Sequence, residues 1–199
     1  MVVCSLHCKH SASRKLTRPG PSGLTTLKEC LYKGYIATVF EAQDHIGGIW
    51  RYDASGNSHS VYHGTVFNSA RDTSAFSDFP FDPERYPTYF GHRAFVQYLD
   101  EYAAFFDLCR HIHYSTKVIK SEQTNAGGWL VTYEQHGTAT TATFDALFAC
   151  TGHLSLPNIP KFPNLADFKG EFCHNKTYRT PGPYEGKRVA VIGIGSTGR

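Results

Sequence analysis

Apolar residues recur at a helical interval at Leu24, Leu27 and Leu31, which predicts a helix over residues 24–33. The tight glycine turn Gly20-Pro21-Ser22-Gly23 precedes it, and Gly34 is placed to end it. The short apolar run Ile36-Ala37-Thr38-Val39-Phe40 follows, a predicted buried strand closed by Glu41. A second helix is predicted over residues 92–108, with Phe95, Val96, Leu99, Tyr102 and Phe106 on its apolar face. Strands are expected at residues 117–119, 129–134 and 140–144. Turns at Asn125-Ala126-Gly127-Gly128 and His136-Gly137 would fold them into an antiparallel meander. Residues 146–150 form a fully apolar strand pattern. Residues 187–192 read as a buried parallel strand running into Gly193-Ile194-Gly195-Ser196-Thr197-Gly198. Residues 1–17 are polar and aperiodic apart from Met1-Val2-Val3, and are expected to be an irregular leader.

Composition narrows the class without naming it. The chain has 199 residues, 41% hydrophobic and 19% charged, as in an ordinary soluble α/β domain or one and a half. A formal charge of +3 argues for no nucleic-acid partner. No apolar run approaches the roughly 18 residues of a membrane span, so no membrane segment is expected. The six cysteines are too scattered for a disulfide scaffold, which favours a reducing compartment. Cys4, His7, Cys8 and His10 cluster, but no second pair sits at zinc-finger spacing, and no metal site is expected.

The two glycine loops carry the chemistry. In the second, Gly193 permits a sharp turn out of the strand. Gly195 lets backbone approach a pyrophosphate, and Gly198 lets the next helix pack closely. The helix that follows would present free N–H groups and a positive dipole end to phosphates. The first loop departs from the pattern: Arg18 stands where the first glycine belongs, and the polar residues 11–17 predict that its preceding strand is missing. Downstream, Glu41 ends the next strand about 20 residues beyond the glycines, where a carboxylate accepts hydrogen bonds from ribose hydroxyls.

Taken in series, these segments resemble the flavin-containing monooxygenases from about Gly20 to Gly198. Gly20 to Leu24 is similar to the end of the family's FAD loop. Glu41 and Ile46-Gly47-Gly48-Ile49-Trp50 resemble its ribose-binding acid and the turn over the flavin. Asn68-Ser69 with Phe76-Ser77-Asp78-Phe79-Pro80 resembles the flavin-face segment, and Cys150-Thr151-Gly152-His153 the linker between nucleotide domains. Phe168, Gly170, His174 and Tyr178 fit the identifying motif FxGxxxHxxx(Y/F). Baeyer–Villiger monooxygenases carry a related motif ending in Trp, so Tyr178 favours the nitrogen- and sulfur-oxygenating branch.

The resemblance implies an α/β fold: a Rossmann-like FAD-binding domain with an inserted antiparallel meander, plus the start of a second, NADP-binding Rossmann domain. The expected divisions are a leader at 1–17, the FAD domain at 18–153, a connection carrying the motif at 154–186, and the NADP domain from 187 to 199. It implies FAD and NADP as cofactors, with FAD on Gly20, Pro21, Ser22, Gly23, Glu41, Gly48, Ile49, Trp50, Asn68 and Ser69. NADP would fall on Phe67, Asn68, Gly193, Gly195, Thr197 and Gly198. NADPH would reduce the flavin, O2 would add to give a C4a-hydroperoxide, and oxygen would pass to an amine nitrogen or sulfide sulfur. Asn68 is the catalytic residue implied, holding flavin, peroxide and nicotinamide in register. His153 and His174 would be structural. The implied location is cytoplasmic or endoplasmic-reticulum-associated. Two alternatives stay open: a Baeyer–Villiger-type enzyme, and an inactive truncated flavoprotein. Arg18, the polar residues 11–17 and the end at Arg199 together predict weak FAD retention and no turnover by these residues alone. A disulfide reductase sharing both loops would need a Cys-x-x-Cys pair, which the sequence lacks.

Overall fold

The computed structural model describes residues 2–5, 13–14, 19–56, 58–152, 157–193 and 195. In chain order the elements are β1 (Val2–Ser5), β2 (Ser13–Arg14), α1 (Pro21–Tyr32), β3 (Ile36–Phe40), the single turn α2 (Arg71–Ser74) and α3 (His92–Phe105). After them come β4 (Ile112–His113), β5 (Thr116–Gln123), β6 (Trp129–Gln135), β7 (Thr138–Phe144) and β8 (Ala146–Phe148). One sheet has the order β2-β8-β1-β3-β4, and the meander β5-β6-β7 forms a second. In the first sheet β2 runs parallel to β8 and β3 parallel to β4, while β1 lies between β8 and β3, antiparallel to both.

The position of β1 corrects the expectation of an irregular leader at Val2–Ser5, and a strand antiparallel to both neighbours stands where a parallel one was expected to be missing. Val2 pairs with Val39 and with Phe148, so four residues at the start of the chain fill the slot between β3 and β8. Val2 and Val3 are β-branched and favour extended backbone, and a short strand suffices where a neighbour pairs on each side. Arg18 lies outside the described residues, and of the Cys4–His10 cluster only the Cys4 backbone lies within them.

Helix α1 starts three residues earlier than the apolar periodicity predicts, because Pro21 occupies the first turn, where a missing N–H costs nothing. It buries Leu24 and Leu27 completely, next to the fully buried Val39 of β3. Helix α3 ends at Phe105, short of the predicted 108, and Asp107 takes a left-handed φ of 51° that turns the chain away. Its buried face holds Phe95, Val96, Leu99 and Tyr102 as predicted, and also Tyr98, which the periodicity did not single out. The meander forms where it was expected and packs on the end of β3, with the Phe40 and Tyr133 rings stacked at 4.3 Å.

The predicted strand at residues 187–192 is not formed. Val189, Val191 and Ile192 are exposed, and among the described residues no strand lies beside them. A parallel strand persists only with paired neighbours and covered faces, and this segment has neither here.

Candidate cofactor site

Glu41 is fixed through its backbone before its side chain does anything. Its N–H donates to the His113 carbonyl at 2.9 Å, and its carbonyl accepts from the Thr116 N–H at 2.7 Å. The end of β3 is thereby held between β4 and β5, and the Glu41 side chain is buried. Its Oε1 accepts from the backbone N–H of Gln43 at 2.7 Å. A narrow cleft beside it is lined by Glu41, Gln43, His45, Gly48, Ser58 and His59. Periodicity and spacing had given no reason to pick out Ser58 or His59.

At Gly48 the two glycine turns meet. A Cβ on Gly48 would lie 3.0 Å from the Gly20 Cα, and Gly48 has a left-handed φ of 57°. The Gly47 N–H donates to the Pro19 carbonyl at 3.1 Å, which locks the second turn to the approach of the first. Helix α1 begins at Gly20 with no side-chain cap and no acidic residue in its first turn. Its N–H groups and dipole end therefore suit an anion.

The turn Gly48–Trp50 is held from three sides. The Ile49 carbonyl accepts from the Val61 N–H at 2.8 Å. The Trp50 carbonyl faces Nδ1 of the buried His92 at 3.2 Å, while Nε2 of that ring faces the His63 carbonyl at 3.2 Å. The Trp50 ring meets Phe67 at 4.7 Å and Phe95 at 5.1 Å. His92 was hidden in the sequence as the first residue of an ordinary helix.

Of the expected site residues, Glu41 and Gly48 line the cleft, Gly20 abuts Gly48, and the Trp50 ring packs on Phe67. Asn68 follows Phe67 directly and is exposed, with Ser69 half-buried behind it. The Phe76–Pro80 segment proves to be a wedge on α3. The Tyr98 hydroxyl accepts from the Phe76 N–H at 2.8 Å and donates to the Phe79 carbonyl at 2.6 Å. Asp78 from this segment pairs with Lys28 of α1, and that pair, with Glu29, holds the Lys28 ammonium well above its usual range. Gly193 and Gly195 carry no strand behind them, and Thr197, Gly198 and His153 lie outside the described residues.

The motif segment is a run of local turns. The Phe168 ring lies over Gly170, where any Cβ would collide with it. His174 Nδ1 accepts from the Lys176 N–H at 3.1 Å, and the His174 carbonyl accepts from the Thr177 hydroxyl at 2.8 Å.

The parts around Glu41 suit FAD: a buried carboxylate at a strand end for a ribose, glycine backbone in contact, and an uncapped helix start for a pyrophosphate.

Comparison with known proteins agrees. Residues 15–199 match the family described as flavin-binding monooxygenase-like. Flavin-containing monooxygenase 1 of Homo sapiens is 40% identical over 187 residues, covering 90% of this chain and 35% of that protein. Human dimethylaniline monooxygenase [N-oxide-forming] 4 is 39% identical over the same length, with 33% of it covered. Among solved structures, S-allyl-L-cysteine S-oxygenase from Allium sativum superposes with a TM-score of 0.78 at 26% identity, over 85% of this chain and 43% of that one. An oxidized steroid monooxygenase bound to NADP superposes with a TM-score of 0.62 at 28% identity, over 92% and 34%. The chain thus spans about a third of the length of the curated relatives it matches.

Proposed function

The chain belongs to the flavin-binding monooxygenase-like family, and from that premise we propose that it is the FAD-holding part of an enzyme that oxygenates amine nitrogen or sulfide sulfur with NADPH and O2. FAD and NADP(H) are the cofactors of that family. The observation that carries the proposal is the Gly20–Gly48 contact beside the buried Glu41 carboxylate. The flavin supplies the oxygen chemistry when bound.

The residues of this chain hold and orient. Glu41 would accept ribose hydroxyls, with its backbone fixed by His113 and Thr116. The first turn of α1, with Pro21 at its start and the N–H groups of Ser22 and Gly23 after it, would offer its uncapped end to the pyrophosphate. Ile49 and Trp50 would back the isoalloxazine, and the aromatic cluster of Trp50, Phe67 and Phe95 would exclude water on that side. Asn68, exposed and next in sequence to Phe67, would offer an amide able both to donate and to accept.

The test of the chemistry joins residues 1–199 to the remaining two thirds of a curated relative and supplies FAD, NADPH, O2 and a tertiary amine. N-oxide formation is expected, lowered at least about tenfold by Asn68→Ala with flavin content unchanged. A chimera that holds flavin yet consumes NADPH only with a cyclic ketone, yielding lactone, would favour the Baeyer–Villiger alternative. That alternative draws on the superposition with a cyclohexanone monooxygenase, with a TM-score of 0.65 at 27% identity.

A further inference from the structure

The identifying motif ends at Tyr178, and the next residue, Arg179, reaches back across the sequence to the wall of the cofactor cleft. Its Nη2 donates to the Ser58 carbonyl at 3.1 Å, and its own carbonyl accepts from the His63 N–H at 2.9 Å. Its Nη1 donates to the Lys176 and Tyr178 carbonyls at 2.8 and 2.9 Å, which fixes the guanidinium on its own segment first. The Tyr178 ring packs edge-on against Tyr62 at 5.4 Å. Residues 58–63 are thus gripped at Ser58, Tyr62 and His63. The same stretch carries the Val61 N–H that holds the Ile49 carbonyl, and Ser58 and His59 line the Glu41 cleft.

The geometry points to Arg179 as a positioning residue, with Tyr178 as its partner. Together they clasp residues 58–63 so that Val61 keeps the Gly48–Trp50 turn in place and Ser58 keeps the cleft wall. Ser58 is held at its other side by Asp53, whose Oδ2 accepts from the Ser58 N–H at 2.7 Å and its hydroxyl at 2.8 Å. The wall is therefore fixed from two ends, and only the Arg179 end comes from the motif segment. An arginine suits this place because its planar fork spreads donors over several carbonyls, which a lysine cannot do from one nitrogen. The assignment rests on the FAD reading of the cleft for its consequence, but the clasp itself is a property of the chain.

Two readouts on the 199-residue chain separate those claims. The first is amide exchange at Val61 without FAD. Arg179→Met keeps the aliphatic stem and removes the donors, and should speed Val61 exchange about tenfold or more. Arg179→Lys should restore part of the protection. Lys187→Met, which removes the exposed pair with Glu171 at 3.1 Å and the ammonium 5.8 Å from the Tyr184 ring, should leave it unchanged. Should Arg179→Met fail to fold, Arg179→Lys against wild type carries the comparison. Unaltered Val61 protection without the guanidinium overturns the clasp. The second readout is FAD affinity, expected to fall at least about threefold in Arg179→Met and to recover partly in Arg179→Lys. Faster Val61 exchange with undiminished FAD affinity overturns the positioning role. A folded wild-type chain that binds no FAD overturns the cofactor reading instead, and the exchange data still decide the clasp.

Discussion

At Gly48 two requirements coincide, a left-handed backbone and an approach to Gly20 that leaves no room for a side chain. Both neighbours of a new Cβ would be backbone, which cannot swing aside. Gly48→Ala should therefore cost about 1–3 kcal/mol in urea unfolding and weaken FAD binding. Undiminished stability would mean the two turns are not in contact. Asp53 gives a pH signature. Hydrogen bonds from the Ser55 and Ser58 hydroxyls, helped by their N–H groups, hold its carboxyl well below the usual range. A depressed folded pKa contributes stability that is complete above the unfolded value and lost as pH falls below it. The melting gap between wild type and Asp53→Asn should then stay constant from about pH 8 to 5 and shrink only below about pH 4. A gap closing around neutral pH would contradict the Asp53 knot.

The elements were legible to the degree that their local chemistry was sufficient. Helix α1, β3 and the meander follow from apolar spacing and turn residues such as His136-Gly137, which both take positive φ. Tyr98 was missed because its role is tertiary: a fully buried ring whose hydroxyl serves two backbone groups of a loop some twenty residues earlier in the chain. Tyr98→Phe leaves the Phe76 N–H and Phe79 carbonyl without that hydroxyl and should cost about 1–3 kcal/mol by equilibrium unfolding. A neutral substitution would mean the wedge is held by ring packing alone. His92 and Arg179 were illegible for the same reason, since what they grip lies far away in sequence. The place of Glu41 at the end of β3 follows the local pattern, whereas the hydrogen bonds to His113 and Thr116 that fix its backbone come from distant residues. The strand expected at residues 187–192 fails for the opposite reason: its local pattern is strong, but no paired neighbour is there among the described residues.

At the scale of the molecule, β1 changes what the chain is expected to do. Polar residues ahead of the first glycine turn suggested a sheet with a gap, and hence poor FAD retention. Val2–Ser5 fills that gap with reversed polarity, joining β3 to β8. Deleting residues 1–5 should lower stability by several kcal/mol, at about 1 kcal/mol for each backbone hydrogen bond lost. With that slot filled, β3, which ends just before Glu41, lies within a continuous five-stranded sheet. The most direct test of the FAD assignment is a titration of the purified 199-residue chain with FAD, followed by flavin fluorescence, for wild type and Glu41→Gln. Saturable binding by wild type, weakened about tenfold or more by Glu41→Gln through loss of charge-assisted hydrogen bonds, is the expected result. Equal affinity in the two proteins, or no binding by a wild-type chain shown to be folded, would contradict it.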